Sequence, residues 1–230
     1  MIFVSLYVFC TTPASPARSE EAPLKASAEP EPAAWNTAAY LPLLQGRRVG
    51  LVVNQTSRVG NTHLVDTLLS RGVRVQTVFA PEHGFRGEAA DGEEIVDGKD
   101  ASTGLPIVSL YGKKKKPEPE DLHALDVVLF DIQDVGARFY TYISTLHLVM
   151  EACAEADVPV LVLDRPNPNG HFIDGPLREP AQASFVGMHP IPVVHGLTVG
   201  ELAGMINGEA WLEEGRSCEL TVIPCRNYTH

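Results

Sequence analysis

Positive charge is scarce in this chain, and so are cysteine and apolar runs of membrane length. Its 230 residues hold 18 Lys and Arg against 29 Asp and Glu, a formal net charge of −11. Nucleic acids and anionic membrane surfaces are bound through basic patches, so neither is expected as a partner. The one basic run, Lys113 to Lys116, lies between Gly112 and Pro117-Glu118-Pro119-Glu120 and reads as a solvated loop. The 4 cysteines do not suggest a disulfide scaffold. Cys153 falls on the stripe Ile143, Leu146, Met150, Cys153 of a helix, where a thiol serves as a small buried hydrophobe. Cys218 and Cys225 flank one candidate strand, which separates them by roughly 20 Å. A disulfide bridges only about 4.4–6.8 Å between Cα atoms.

The longest apolar start, Met1 to Phe9, is too short to cross a bilayer, which takes about 20 residues. Small and turn-forming residues follow it, the pattern of an export segment without its usual basic start. An exported protein, periplasmic or extracellular, is therefore expected. Cys10 is a candidate lipid acceptor, although Val8 and Phe9 are large for a lipobox. Residues 11–34 are rich in Ala, Pro, Glu and Ser and read as a disordered linker. The expected partition is an export segment at 1–10, this linker, and a catalytic domain over 35–230.

Several chemical signatures are also missing. No Gly-x-Ser-x-Gly elbow marks a serine nucleophile, and no Gly-x-Gly-x-x-Gly or P-loop marks a nucleotide. No His or Cys pair has metal-ligand spacing, so no metal and no cofactor are expected. There is no internal repeat, and nothing points to a protein partner.

What the chain does have is four apolar runs that each end in polar, reactive residues. Val49 to Val53 runs into Asn54-Gln55-Thr56-Ser57, and Val73 to Phe79 into Ala80-Pro81-Glu82-His83-Gly84. Val127 to Phe130 runs into Asp131-Ile132-Gln133-Asp134, and Val158 to Leu163 into Asp164-Arg165-Pro166-Asn167. Short β-branched runs alternating with helical stretches predict a parallel α/β sheet with helices on both faces. Ligands in such sheets bind beyond the carboxyl ends of the strands, so the four clusters should share one rim. Strands are predicted at 48–54, 73–79, 106–110, 126–131, 158–163 and near 219–224. Helices are predicted at about 62–71, 118–124, 140–156 and from Thr198, where Thr198 and Glu201 form a capping box. The long loops 80–104 and 164–197 are expected to wall the site.

Each cluster has a plain structural reading beside the chemical one. Glu82, in a partly dry pocket, could act as a general acid, or it could cap a helix while His83 bonds a carbonyl. Asp131, Asp134, Arg138, Tyr140 and Tyr142 suit a sugar, with bidentate bonds to hydroxyls and an aromatic face on the ring. Asp134 and Arg138 could equally form a helical ion pair, with the tyrosines in the core. Asp164, Arg165 and Asn167 sit in a proline-stiffened turn, and Asn54 and Gln55 could bond hydroxyls or cap a helix.

Together Asn54-Gln55-Thr56, Pro81 to Gly87, Asp131 to Tyr142 and Asp164 to Gly170 resemble the NamZ-type exo-β-N-acetylmuramidases. The resemblance runs from about Arg47 to Tyr228. It implies a Rossmann-like domain joined to a smaller C-terminal domain, with the site in the cleft between them. It also implies removal of terminal N-acetylmuramic acid from the non-reducing ends of peptidoglycan fragments. On that basis Glu82 is the expected catalytic acid, with Asp131 or a neighbour stabilising charge or positioning water. His83, Asp131, Arg138, Tyr140, Tyr142, Arg165 and Asn167 would line the sugar subsite, and Asn54, Gln55, Arg86, Asp134 and Asp164 are further substrate-binding candidates. The chain ends just past a strand, so the C-terminal domain is expected to be missing and activity weak. A non-catalytic muramyl-sugar-binding protein and a metal-dependent cell-wall hydrolase are the alternatives.

Overall fold

The computed structural model describes residues 28–86 and 97–230. The expected export segment, Cys10 and most of the expected linker lie outside the described residues. Strand β1 (Arg48–Val53) is followed by a small antiparallel hairpin of β2 (Arg58–Val59) and β3 (Thr62–His63). Then come β4 (Arg74–Ala80), β5 (Gly98–Lys99), β6 (Pro106–Ser109), β7 (Val127–Asp131), β8 (Val160–Leu163) and β9 (Leu220–Ile223). The helices are α1 (Thr37–Leu44), α2 (Leu64–Ser70), α3 (Pro119–Leu122), α4 (Tyr142–Glu155) and α5 (Val199–Gly208).

Seven strands make one sheet in the order β5-β6-β4-β1-β7-β8-β9. All its pairings are parallel except β5 with β6. Counted along the chain, the six parallel strands stand third, second, first, fourth, fifth, sixth, the order of a doubly wound sheet. The winding reverses between β1 and β7, where such sheets open a crevice at their carboxyl ends. The central strands are buried on both faces, which is why they read as continuous rather than alternating apolar runs.

Two apolar layers cover the sheet. Tyr40 and Leu44 of α1 and Leu64, Val65 and Leu68 of α2 pack with Leu51, Val53 and Leu129 on one face. Ile143, Leu146, Val149 and Met150 of α4 pack with Leu202 and Ile206 of α5 and with Val128 and Phe130 on the other. Cys153 lies fully buried in that second layer, on the stripe the spacing predicts. Each large side chain fully buried this way contributes about 1.5–3 kcal/mol. The capping box at Thr198 and Glu201 is present and starts α5.

Four sequence expectations need correction. The helix expected from 62 starts at Leu64, because Thr62 and His63 pair back onto Arg58 and Val59. The loop expected over 80–104 contains the antiparallel edge strand β5. The linker expected to reach residue 34 is structured before that. Glu31 bridges Arg226, Ala33 N–H donates to Asp164 O at 2.9 Å, and Ala33 and Ala34 are fully buried. Finally, the basic run is not simply solvated: Lys114 pairs with Asp121 and Lys116 with Glu151 and Glu155. Among the described residues no helix is long and apolar enough to cross a membrane.

Candidate active site

The turn after β1 is built by its own side chains. Asn54 is fully buried, and its Oδ1 accepts from Thr56 N–H at 2.9 Å and Thr56 Oγ1 at 2.6 Å. Ser57 Oγ donates to the carbonyl of Asp131 and so joins the ends of β1 and β7. Thr56 Oγ1 accepts from Gln133 N–H at 3.0 Å, a second tie across the same gap. Gln133 Nε2 in turn donates to the carbonyls of Asp134 and Pro166 at 2.7 and 2.8 Å. The crevice floor is therefore fixed before any ligand arrives.

Beyond β4 the chain turns sharply. Gly84 N–H donates to Pro81 O at 3.0 Å, and His83 adopts a left-handed φ of 69°. A non-glycine residue held there carries strain of order 1–3 kcal/mol, a cost that collects at functional sites. The turn delivers Glu82, whose Oε2 accepts from Thr141 Oγ1 at 2.7 Å. Thr141 stands at the N-cap of α4 with helical backbone angles and no side-chain cap bond, and its hydroxyl donates to Glu82.

These pieces enclose a cavity of about 600 Å³ lined by Gln55, Thr56, Glu82, His83, Gln133, Val135, Phe139, Tyr140, Thr141 and Tyr142. That volume is in the usual range for a small-molecule site. Phe139 and Tyr140 expose 57% and 46% of their surface, with ring centroids 5.4 Å apart, so two aromatic rings face solvent at the cavity edge. The Tyr142 phenol lies beside the amides of Asn54 and Gln55; burial pushes its pKa up and those amides oppose the shift. Among the described residues Glu82 is the one carboxylate in the lining.

Of the residues the sequence singled out, Gln55, Glu82, His83, Tyr140 and Tyr142 thus meet at one cavity, with Asn54 directly behind. The others have different duties. Asp131 is fully buried, and Arg165 binds both its oxygens through Nε at 2.6 Å and Nη2 at 2.9 Å. It is not among the residues lining the cavity. Arg165 is buried with it and is not among the residues lining the cavity. Asp164 accepts from Thr198 Oγ1 at 2.8 Å, Gly200 N–H at 2.7 Å and Arg165 N–H at 2.9 Å, seating the start of α5. Burial nevertheless raises its pKa.

Arg86 pairs with Asp100 at 2.9 Å and Asp66 at 3.4 Å, and it holds the Asp100 carboxyl well below the usual range. Arg138 donates to the carbonyls of Pro176 and Ile191 rather than to Asp134, and so pins the second long loop. Asn167 bonds Leu197 O and Asn169 N–H at 2.8 Å each and fills the space beside Gly136. Asp134 Oδ2 accepts from Gly136 N–H at 2.8 Å, with His195 Nε2 3.6 Å away. Each of these partners lies far along the chain or in irregular loop, which is why residue type at a strand end did not reveal it.

Thr141, Gln133, Thr56, Val135 and Phe139 were not singled out for the site. Thr141 carried a usable signal, since it directly precedes a helix and a hydroxyl at that position usually caps. Among the described residues, Glu151, Glu155 and Glu213 could converge on a metal ion, but Lys116 already bridges the first two and none lines the cavity.

A family model described as exo-beta-N-acetylmuramidase NamZ, N-terminal, matches residues 49–230. The peptidoglycan beta-N-acetylmuramidase NamZ of Bacillus subtilis (strain 168) is 47% identical over 194 residues, covering 82% of this chain and 45% of that protein. Two crystal structures of DUF1343 family proteins from Bacteroides fragilis NCTC 9343 superpose with TM-scores of 0.80 and 0.80, at 48% and 40% identity. They cover 88% and 87% of this chain, and 54% and 51% of theirs. The chain spans about half the length of these relatives. With most of its length matched, and the crevice built from matched residues, this chain belongs to the exo-β-N-acetylmuramidase NamZ N-terminal family.

Proposed function

We propose that this chain carries the sugar-binding and proton-transfer half of an exo-acting β-N-acetylmuramidase. The substrate is a peptidoglycan fragment with N-acetylmuramic acid at its non-reducing end, and the product is that terminal sugar. An exported location, periplasmic or extracellular, goes with such a substrate. The observation that carries the reading is Glu82 in the cavity wall, hydrogen-bonded by Thr141 and set beside the exposed rings of Phe139 and Tyr140.

Chemically, Glu82 protonates the leaving glycosidic oxygen as an oxocarbenium-like centre develops on the terminal sugar, and a water molecule adds to that centre and loses its proton to give the free sugar. Thr141 fixes which carboxylate oxygen faces the bond. Tyr140 and Phe139 receive the ring face, and Gln55 presents its amide to the ring substituents. The test uses the full-length protein and a chromogenic β-N-acetylmuramide. Glu82→Gln should bind the substrate as the parent does and release almost no product, with kcat down about 10²–10⁴-fold. A parent protein that binds N-acetylmuramic acid yet releases nothing from any muramide would instead be a carbohydrate-binding protein.

A further inference from the structure

Glu82 and Thr141 border a second cavity, of about 530 Å³, on which Tyr111, Lys115, Phe185 and Val186 also converge. Their hydrogen bond is thus the partition between two adjoining chambers. The chambers differ in charge. No Lys or Arg is among the described residues lining the first, since Arg86, Arg138 and Arg165 are all engaged elsewhere. The second contains Lys115.

The basic run explains how that lysine is presented. Lys114 is tied to Asp121 at 2.6 Å and Lys116 to Glu155 at 2.7 Å, so the residues on either side anchor the loop. Lys115 instead places its ammonium 4.6 Å from the centroid of the Phe185 ring. A ring face steadies a cation and strips part of its water without supplying a counter-charge. Among the described residues no acid forms an ion pair with Lys115.

We propose that this second chamber is a subsite for a carboxylate carried by the saccharide, and that Lys115 is the residue selecting it. The inference rests on the muramidase reading. N-acetylmuramic acid differs from N-acetylglucosamine by a lactyl ether that ends in a carboxylate. A chain with a net charge of −11 repels such a ligand overall, so a local cation beside the proton donor is what makes it welcome. Phe185 and Val186 give the methyl group of the same substituent an apolar wall. The carboxylate is either that of the lactyl group itself or one on a peptide stem attached to it.

The experiment uses the full-length protein and four chromogenic glycosides: the free muramide, its lactyl amide, a muramyl dipeptide glycoside and an N-acetylglucosaminide. Lys115→Met should raise KM about tenfold for a substrate bearing the recognised carboxylate, with kcat changed less than about twofold. KM for the lactyl amide and the glucosaminide should not move, and Lys115→Arg should restore most of the loss. A loss confined to the free muramide assigns the lactyl carboxylate; a loss confined to the dipeptide glycoside assigns the stem. Unchanged KM for every substrate in Lys115→Met overturns the subsite. Should the parent turn over none of the glycosides, the muramidase reading fails by itself. Calorimetry with N-acetylmuramic acid and N-acetylglucosamine then decides the subsite: it stands only if Lys115→Met weakens the first and not the second.

Discussion

Two acids leave the two strands that flank β1, and their surroundings are opposite. Asp131 ends β7, sealed from solvent with both oxygens bound by Arg165. Glu82 follows β4, part-exposed, takes a neutral hydroxyl donor and borders two cavities. The bidentate pair ties the end of β7 to the turn after β8 and so holds the rim together. Position at a strand end is shared by both; the partners make Asp131 a builder of the rim and leave Glu82 facing the cavities.

The sharpest way to break the comparison is to remove the builder's partner. Arg165→Ala strands a buried charge and should cost about 3–5 kcal/mol in urea unfolding. A loss below about 1 kcal/mol would mean that Asp131 is not structurally committed and is available for chemistry. A milder case tests Asp164, which is held by hydroxyl and amide donors rather than an arginine. Thr198→Ala removes both the α5 cap and one Asp164 donor, and should cost about 1–2 kcal/mol. Glycoside turnover by either variant, once folded, should stay near that of the parent.

The smallest effect concerns buried bases behind the second long loop. His189 is buried, its ring facing His147 at 3.2 Å with Trp211 beside it; His195 and Arg178 add their fields. Burial, reinforced by those positive neighbours, lowers its pKa to about 3. Between that value and an unfolded value of about 6.5, the unfolded chain binds a proton that the folded one refuses. Stability is therefore fully present above pH 6.5 and declines as pH falls toward 3. Chemical unfolding at pH 7 and pH 5 should show that decline, and His189→Phe should make it shallower. An identical slope in the variant would show that His189 is not its source.

Much of the sheet was legible because its strands are buried on both faces and therefore read as unbroken β-branched runs. The crevice position followed from the same pattern, since parallel strands bring their carboxyl ends to one side. The hairpin at Arg58 to His63 was not legible, because two-residue strands carry no period. Nor was the packing of Ala33 and Ala34, whose composition matches a linker and whose burial depends on Arg226 and Asp164 far along the chain. The partition of acids was hidden for the same reason. Asp131 and Arg165 are 34 residues apart, and a motif shows which groups are near a rim but not which of them neutralise each other. Lys115 was hidden inside a run whose members look alike until Lys114 and Lys116 find their acids.

The most direct measurement puts Glu82→Gln and Asp131→Asn side by side in the full-length protein, reading kcat on a chromogenic muramide and the free energy of unfolding. Glu82→Gln should unfold within about 0.5 kcal/mol of the parent while kcat falls about 10²–10⁴-fold. Asp131→Asn should lose about 3–5 kcal/mol of stability while its folded fraction keeps kcat within about tenfold. The reverse pattern, a stable but inactive Asp131→Asn beside a Glu82→Gln with near-normal turnover, would contradict the division of labour between the two acids.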